Sequence, residues 1–313
     1  TFFFLSKYSL TLEENSKQLI LQKLLEEQKN VSIPTKAILQ SIYAENLGVI
    51  YRDRKYKIHS MTTLENATPE NIFEWSRDNF ITEIKAAYDS SVAQQSILYN
   101  TPLSNYKEVI NSIYNYTEEK RSLYDFLAER YISLLGNEGS YYSYDDKNSL
   151  LYSKTADFLK YTPNDTLSPF NKKIVLLQQL ESLYKSKKDT ISLQRAILRR
   201  LEFFRKEHHA NLNEVYFKTI TDYINTWPKE NYYTYRAKLV QAELYYNLAN
   251  KESDKEYFIK AVANCNYIIK NCKYNDITTQ AENLKYHISL KEIQLTTESY
   301  VIPERSILAK VKY

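Results

Sequence analysis

The chain has 313 residues, a formal net charge of +4 and a mean hydropathy of −0.55. With 43% hydrophobic and 26% charged residues its composition is that of an ordinary globular protein and excludes a disordered chain. Its three glycines disfavour most nucleotide-binding folds, because phosphate-cradling loops depend on glycine. No apolar run approaches the roughly 20 residues that a membrane-spanning helix needs.

Helical patterns fill much of the first 140 residues, which we predict to form an N-terminal helical lobe (1–140). A helix is expected after Thr68 and Pro69, because a capping hydroxyl followed by proline is typical of a helix start. Gly136 is expected to end another helix. The predicted apolar stripes are Phe73, Phe80, Ile84, Ala87 and Tyr88 on the first helix, and Leu123, Phe126, Leu127, Tyr131, Leu134 and Leu135 on the second.

The helical pattern lapses after Gly136. Residues 141–166 are rich in serine, asparagine, aspartate and tyrosine and show at most one short helical stretch. We therefore predict an irregular connection over 141–166, which separates two helical lobes.

Residues 167–296 are predicted to form a C-terminal helical-repeat lobe, opened by Ser168 and Pro169. The stripe of its first helix is Ile174, Leu177, Leu180 and Tyr184. About six helices of similar length are expected, with short links near positions 186, 207, 227, 251 and 274, and short links favour antiparallel neighbours. The tetratricopeptide (TPR) consensus, with Trp, Leu-Gly and Tyr at fixed positions, is not found in this lobe. The predicted fold class is all-α: an antiparallel helical-hairpin array, an irregular TPR-like solenoid, with a short β segment at the C-terminus.

The periodicity changes near Leu295 from roughly 3.6 residues to 2, which indicates strands. Alternation is clearest at Ile307, Ala309 and Val311. Because an isolated strand pair is marginally stable in water, we predict that 297–313 is the start of a truncated β-domain.

The thirty tyrosines are expected to pack between helices, since a tyrosine ring is apolar while its hydroxyl reaches a polar partner. Basic runs occur at 52–57 and 199–209, but acidic residues follow or interleave with them. Nucleic-acid-binding proteins usually show a clustered excess of positive charge. We therefore predict no nucleic-acid partner.

We predict no catalytic, cofactor-binding or metal-binding residues, and hence no enzyme. The chain lacks a Gly-x-Ser-x-Gly elbow, a P-loop, a dinucleotide fingerprint and a Cys-x-x-Cys motif. His208 and His209 are adjacent, whereas two zinc ligands on one helix are expected four residues apart, and only His59 and His287 remain elsewhere. The two cysteines, at 265 and 272, lie in a helical pattern about 10.5 Å apart, too far for a disulfide.

Six segments resemble the amino-terminal helical region of very large α-2-macroglobulin-family proteins from Bacteroidetes. They are "IPTKAILQSIYAENLGVIYRDRKYKIHSMT" (33–62), "IFEWSRDNFITEIKAAYDSSV" (72–92), "NTPLSNYKEVI" (100–110), "LYDFLAERYISLL" (123–135), "DTLSPFNKKIVLLQQLESLYK" (165–185) and "LQRAILRRLEFFRKE" (193–207). The resemblance extends from about Ile33 over most of the chain, and none of these segments is a catalytic signature.

The resemblance implies a part in protease trapping. In that family macroglobulin-like β-domains follow the helical region, a protease cuts a bait segment, and in many members a thioester in a Cys-Leu-Glu-Gln motif captures the attacker. That motif is absent here, so neither Cys265 nor Cys272 matches the thioester cysteine. The inhibitory chemistry is expected beyond Tyr313.

The resemblance also implies a periplasmic or cell-envelope location, with a lipid anchor upstream of Thr1. The expected partners are the downstream β-domains of the same polypeptide, and a protease or a cell-envelope protein. Two alternatives stay open: a stand-alone helical-repeat scaffold that binds a protein or peptide, and a helical enzyme. The enzyme would require paired carboxylates in a deep pocket.

Overall fold

A computed structural model describes residues 14–60, 71–108, 110, 121–136, 149–163, 168–207, 214–228, 231–252, 254–290, 294–297 and 309–312. Helices account for most of these residues, which confirms the predicted all-α class. None of the helices in these ranges has the length and apolar character needed to cross a membrane.

The helices are numbered here in chain order. They are α1 (Glu14–Glu27), α2 (Ile33–Asp53), α3 (Lys55–His59), α4 (Arg77–Val92), α5 (Gln95–Tyr99), α6 (Leu123–Gly136), α7 (Ser149–Tyr152), α8 (Thr155–Phe158), α9 (Pro169–Lys187), α10 (Thr190–Glu207), α11 (Glu214–Thr226), α12 (Tyr232–Glu252), α13 (Lys255–Asn271) and α14 (Asn275–Ser289). Short 3₁₀ turns lie at Ile72–Glu74 and Leu103–Tyr106.

The chain divides into two compact units at boundaries that differ from the predicted ones. The first unit takes its described residues from Thr1–Tyr142 and Pro163–Ser192, and the second from Ser143–Thr162 and Leu193–Tyr313. Helix α9, predicted to open the C-terminal lobe, thus belongs to the first unit, where it packs on α6. Helices α7 and α8, from the predicted connection, belong to the second. Contacts between segments distant in sequence decide this division, and local periodicity does not report them.

In the first unit α2 packs against α1, α4 and α6. Helix α4 begins with a capping box: the Ser76 hydroxyl accepts a hydrogen bond from the Asn79 backbone N–H at 3.3 Å, and Asn79 Oδ1 accepts one from the Ser76 N–H at 3.0 Å. Thr68 and Pro69, the predicted start, lie outside the described residues. Phe73, predicted on the helical stripe, lies in a 3₁₀ turn instead, whereas the rest of that stripe is buried on α4.

Helices α6 and α9 form as predicted. Helix α6 ends at Gly136, and its stripe is buried except for the half-buried Phe126 and Leu134. Helix α9 begins at Pro169. The Ser168 hydroxyl caps it by accepting a hydrogen bond from the Asn171 backbone N–H at 3.2 Å. Its four predicted stripe residues are all buried, so the two helices bury complementary apolar faces.

In the second unit the helix boundaries match the predicted links. Helices α10 to α14 are separated near 207, 227, 251 and 274, as the polar links indicated. Helix α12 packs against α11, α13 and α14. Polar side chains join α12 to its neighbours: Arg236 donates to Glu202 of α10 at 2.9 Å and to Gln280 of α14 at 2.8 Å.

The predicted irregular connection contains two short helices, α7 and α8, rather than at most one. They are held by Arg200 of α10, whose side chain is fully buried. Its guanidinium donates to the carbonyl oxygens of Leu151 at 2.5 Å and Ser153 at 2.9 Å, and it lies 4.2 Å from the Phe158 ring centroid. A charged side chain with this many donors satisfies carbonyls that short helices leave unpaired.

Two four-residue strands follow α14: β1 (Gln294–Thr297) and β2 (Ala309–Lys312). They pair antiparallel, with Gln294 opposite Lys312 and Thr297 opposite Ala309. The segment between them (298–308), including Ile307, lies outside the described residues. That 297–313 begins a β-domain stays a prediction.

Candidate interaction surface

The histidines considered as ligands do not form a metal site in the described part of the chain. The His59 imidazole Nε2 lies 3.0 Å from the Tyr51 hydroxyl, and His287 is exposed on α14. His208 and His209 lie outside the described residues. Within the described ranges no three His, Cys, Asp or Glu side chains come together as metal ligands.

The two cysteines are free thiols, as their spacing predicted. Cys265 is buried on α13, and burial raises the pKa of its thiol to about 11. Cys272 follows the end of α13, is partly exposed, and accepts a hydrogen bond at sulfur from the Tyr274 backbone N–H at 3.5 Å. Burial also raises the pKa of this thiol. Both environments disfavour the reactive thiolate.

Thiol labelling should distinguish the two cysteines. In the native protein at pH 8 we expect iodoacetamide to modify Cys272 at least about tenfold faster than Cys265, because the buried thiol is both inaccessible and protonated. Mass spectrometry of tryptic peptides after timed quenching measures the two rates. The C272S variant should incorporate label only in denaturant, and fast labelling of native C272S would contradict the buried position of Cys265.

Many of the described tyrosines are buried between helices, as predicted. Several of their hydroxyls reach polar partners on other elements: Tyr43 donates to Glu83 at 3.2 Å, and Tyr152 donates to the Phe204 carbonyl at 3.1 Å. Burial raises the pKa of the Tyr124 hydroxyl to about 12. These phenols serve as uncharged donors inside the helical units.

Another group of tyrosines clusters in the second unit, where α12 and α14 begin and α13 ends, and three of its four rings are at least partly exposed. We call Tyr232, Tyr235, Tyr267 and Tyr274 the tyrosine surface. Ring centroids are 5.2 Å apart for Tyr232 and Tyr274, and 6.4 Å apart for Tyr235 with either Tyr267 or Tyr274. Tyr235 is buried against Tyr267 and Tyr274, Tyr267 is 40% exposed, and Tyr232 and Tyr274 are half-buried. The four rings therefore form one connected cluster, in which the buried Tyr235 links Tyr267 to Tyr274.

Hydrogen bonds fix the orientation of two of these rings. The Tyr232 hydroxyl donates to Asp276 of α14 at 2.9 Å, and the Tyr235 hydroxyl donates to the Asn271 carbonyl at 2.9 Å. Because these hydroxyls are already bonded, the patch offers ring faces and edges rather than these two phenol groups. A patch ordered in advance loses little side-chain entropy on binding.

Two lysines lie over the rings and add positive charge to the tyrosine surface. The Lys238 ammonium is 4.5 Å from the Tyr267 ring centroid, and the Lys273 ammonium is 5.3 Å from that of Tyr274. Both distances are within the range of a cation–π interaction. The surface thus suits a partner that presents apolar groups beside carboxylates.

The sequence shows the tyrosine-bearing segments of this surface but does not show that they lie next to each other in the fold. "NYYTYR" at 231–236 and "NCKYN" at 271–275 are tyrosine-bearing and lie about 40 residues apart. Sequence reasoning placed both near helix ends without joining them. Only the packing of α12 with α13 and α14 brings the rings together.

Comparison of the whole chain with protein-family models, with curated proteins and with solved structures finds no match.

Proposed function

We propose that this chain is a non-catalytic helical docking and spacing module of a bacterial α-2-macroglobulin-like protease inhibitor, whose bait and thioester chemistry lies outside residues 1–313. The tyrosine surface is the observation that carries the docking part of this proposal. Exposed and half-buried aromatic rings that are packed together on a folded helical unit are the kind of feature that dominates binding energy at protein interfaces. The family assignment rests on the resemblance of the six helical segments.

The finer architecture is part of the proposal. We propose an irregular array of helical hairpins, TPR-like in layout, and this is supported by the packing of α11 with α12, α12 with α13, and α13 with α14 across short links. The β segment would be the start of a β-domain completed by later sequence. Such an array presents a continuous surface to a partner.

The proposed location is the periplasm or cell envelope, with a lipid anchor upstream of Thr1. The proposed partners are the downstream β-domains of the same polypeptide, and a protease or a cell-envelope protein. Reading the coding sequence on both sides tests the family: a lipoprotein signal upstream and a Cys-Leu-Glu-Gln motif downstream are expected. A stop codon after Tyr313 would overturn the family assignment.

One observation favours a second candidate function, a stand-alone helical-repeat scaffold that binds a protein or peptide. Strand β2 pairs with β1 of the same chain, so the β segment does not require an external strand for its first pairing. In that case the tyrosine surface would bind a separate protein.

Substitution in the tyrosine surface should weaken binding to the downstream β-domains. We expect Y267A to reduce the affinity for a polypeptide encoded directly after Tyr313 by about 10- to 30-fold, because Tyr267 is the most exposed ring of the tyrosine surface and an aromatic hot-spot residue contributes at this level. Isothermal titration calorimetry measures the change. The matched control is Y286A on α14, whose ring is 64% exposed but lies outside the tyrosine surface, and which should leave the affinity unchanged. Equal affinities for Y267A and the unmodified chain would refute docking at this surface.

A further inference from the structure

A second exposed feature lies in the first unit, at the end of α2 and along α3. Here Arg52, Arg54, Lys55 and Lys57 surround Tyr56, and we call this group the basic tip. The Tyr56 ring is 96% exposed, more than any other large hydrophobic side chain in the described ranges. This position does not belong to the tyrosine surface, and the proposed function does not use it.

Local packing keeps the basic tip ordered while its side chains face solvent. Ile58 is buried and turns the apolar side of α3 inward. Arg54 lies with its guanidinium carbon 4.6 Å from the Phe73 ring centroid, and Tyr51 and His59 share a hydrogen bond of 3.0 Å. The five-residue helix therefore cannot turn Tyr56 inward without exposing Ile58.

The basic tip carries a net excess of positive charge. Asp53 is the single acidic residue within 52–57. Its carboxylate lies 3.2 Å from the Lys17 ammonium, so its negative charge is balanced by Lys17 and does not cancel the positive charge of the tip. Arg52, Lys55 and Lys57 are exposed and form no ion pair with another described residue. Unpaired exposed cations attract an anionic partner.

We propose that the basic tip docks onto an anionic lipid bilayer, with the Tyr56 ring at the headgroup level and the neighbouring basic side chains against the lipid phosphates. Tyrosine is favoured at membrane interfaces because its ring is apolar while its hydroxyl stays in water. Lysine stems lie along apolar surface while the ammonium group reaches the headgroups. Clustered basic residues bind anionic lipid surfaces in this way.

The number of exposed rings favours a lipid surface over single-stranded nucleic acid. Nucleic-acid channels present several aromatic rings in series, on which successive bases stack. The basic tip presents one fully exposed ring at a helix end, since Phe73 is covered by Arg54 and Tyr51 is bonded to His59. A single projecting ring among cations fits a flat charged surface.

Vesicle co-sedimentation tests this proposal on the full 313-residue chain. The probes are vesicles of phosphatidylcholine alone and vesicles with phosphatidylglycerol at about 30 mol%. We expect binding only to the anionic vesicles, reduced when the salt concentration rises from about 0.1 to 0.5 M. K55Q/K57Q should lower the partition coefficient about 25-fold, because each basic residue contributes roughly fivefold, and Y56A about fivefold.

The matched control removes the same charge elsewhere. K255Q/K270Q neutralises two exposed lysines of α13 and should bind vesicles like the unmodified chain. The tip residues are exposed, so helical circular dichroism should be identical in all variants. Absence of binding to anionic vesicles, or an equal loss in the α13 variant, would overturn the proposal. Binding to poly(U) but not to vesicles would overturn it in favour of a nucleic-acid partner.

Discussion

Replacing Arg200 with methionine is expected to destabilise the second unit by at least about 3 kcal/mol. The substitution removes the donors to the Leu151 and Ser153 carbonyls, and leaving a buried acceptor unsatisfied costs about 1–3 kcal/mol each. It also removes the cation–π contact with Phe158. Methionine fills part of the vacated volume, so the effect reports lost hydrogen bonds more than a cavity.

Urea denaturation and hydrogen exchange together measure this effect. Two compact units need not unfold in one step, so exchange of the amides in α7 and α8 identifies which part has lost stability. We expect those amides to lose protection first, because Arg200 joins these short helices to α10. The matched control is R77M on α4, whose side chain is 61% exposed and which should change stability by less than about 0.5 kcal/mol. If the amides of α7 and α8 kept their protection from hydrogen exchange in R200M, Arg200 would not be the residue that holds these helices in place.

Replacing Tyr131 with alanine is expected to destabilise the first unit by about 3–5 kcal/mol. The ring is buried on α6 and stacks on Tyr88 of α4, with centroids 5.0 Å apart and an angle of 11° between the rings. Its hydroxyl donates to Asp89 at 3.2 Å, and Lys172 of α9 bonds the same carboxylate at 2.5 Å. The Lys172 ammonium also lies 5.8 Å from the Tyr131 ring centroid. This side chain of α6 thus contacts two other helices, α4 and α9, and its loss leaves a cavity between them.

The conservative variant Y131F separates packing from hydrogen bonding. It keeps the stacked ring and removes only the hydroxyl, so we expect a loss of about 0.5–1.5 kcal/mol. The carboxylate of Asp89 retains the Lys172 ammonium as a partner, which limits the cost. Calorimetric or urea-induced unfolding of the three proteins measures the series. Similar losses for Y131A and Y131F would contradict a role for the stacked ring.

Periodicity and composition predicted the fold class, the end of α6, the start of α9 and the links between the helices of the second unit. The stripe from Ile174 to Tyr184 and the glycine at 136 act through local geometry, since helical spacing and a helix-ending residue are properties of neighbouring positions. The links near 207, 227, 251 and 274 were visible for the same reason. Phe73 was misplaced because a helical spacing also fits a 3₁₀ turn that directly precedes a capped helix.

Only part of the candidate site could be predicted from the sequence. The abundance of tyrosine predicted buried rings, but Tyr267 and Tyr274 reach the surface because α13 ends beside the starts of α12 and α14. The basic run at 52–57 was visible, yet its charge balance could not be judged without the pairing of Asp53 with Lys17. Arg200 belonged to a basic run and gave no sign of burial, since its carbonyl partners lie 47 to 49 residues away.

The sequence by itself determined that this protein is helical, that α6 ends at Gly136, that α9 begins at Pro169, and where the links of the second unit lie, because these properties depend on residues within a few positions of one another. Only the tertiary structure decided that α9 joins the first unit, that α7 and α8 join the second through Arg200, and which tyrosines remain exposed. The physical reason is that burial, ion pairing and ring contacts depend on side chains that lie far apart in the chain.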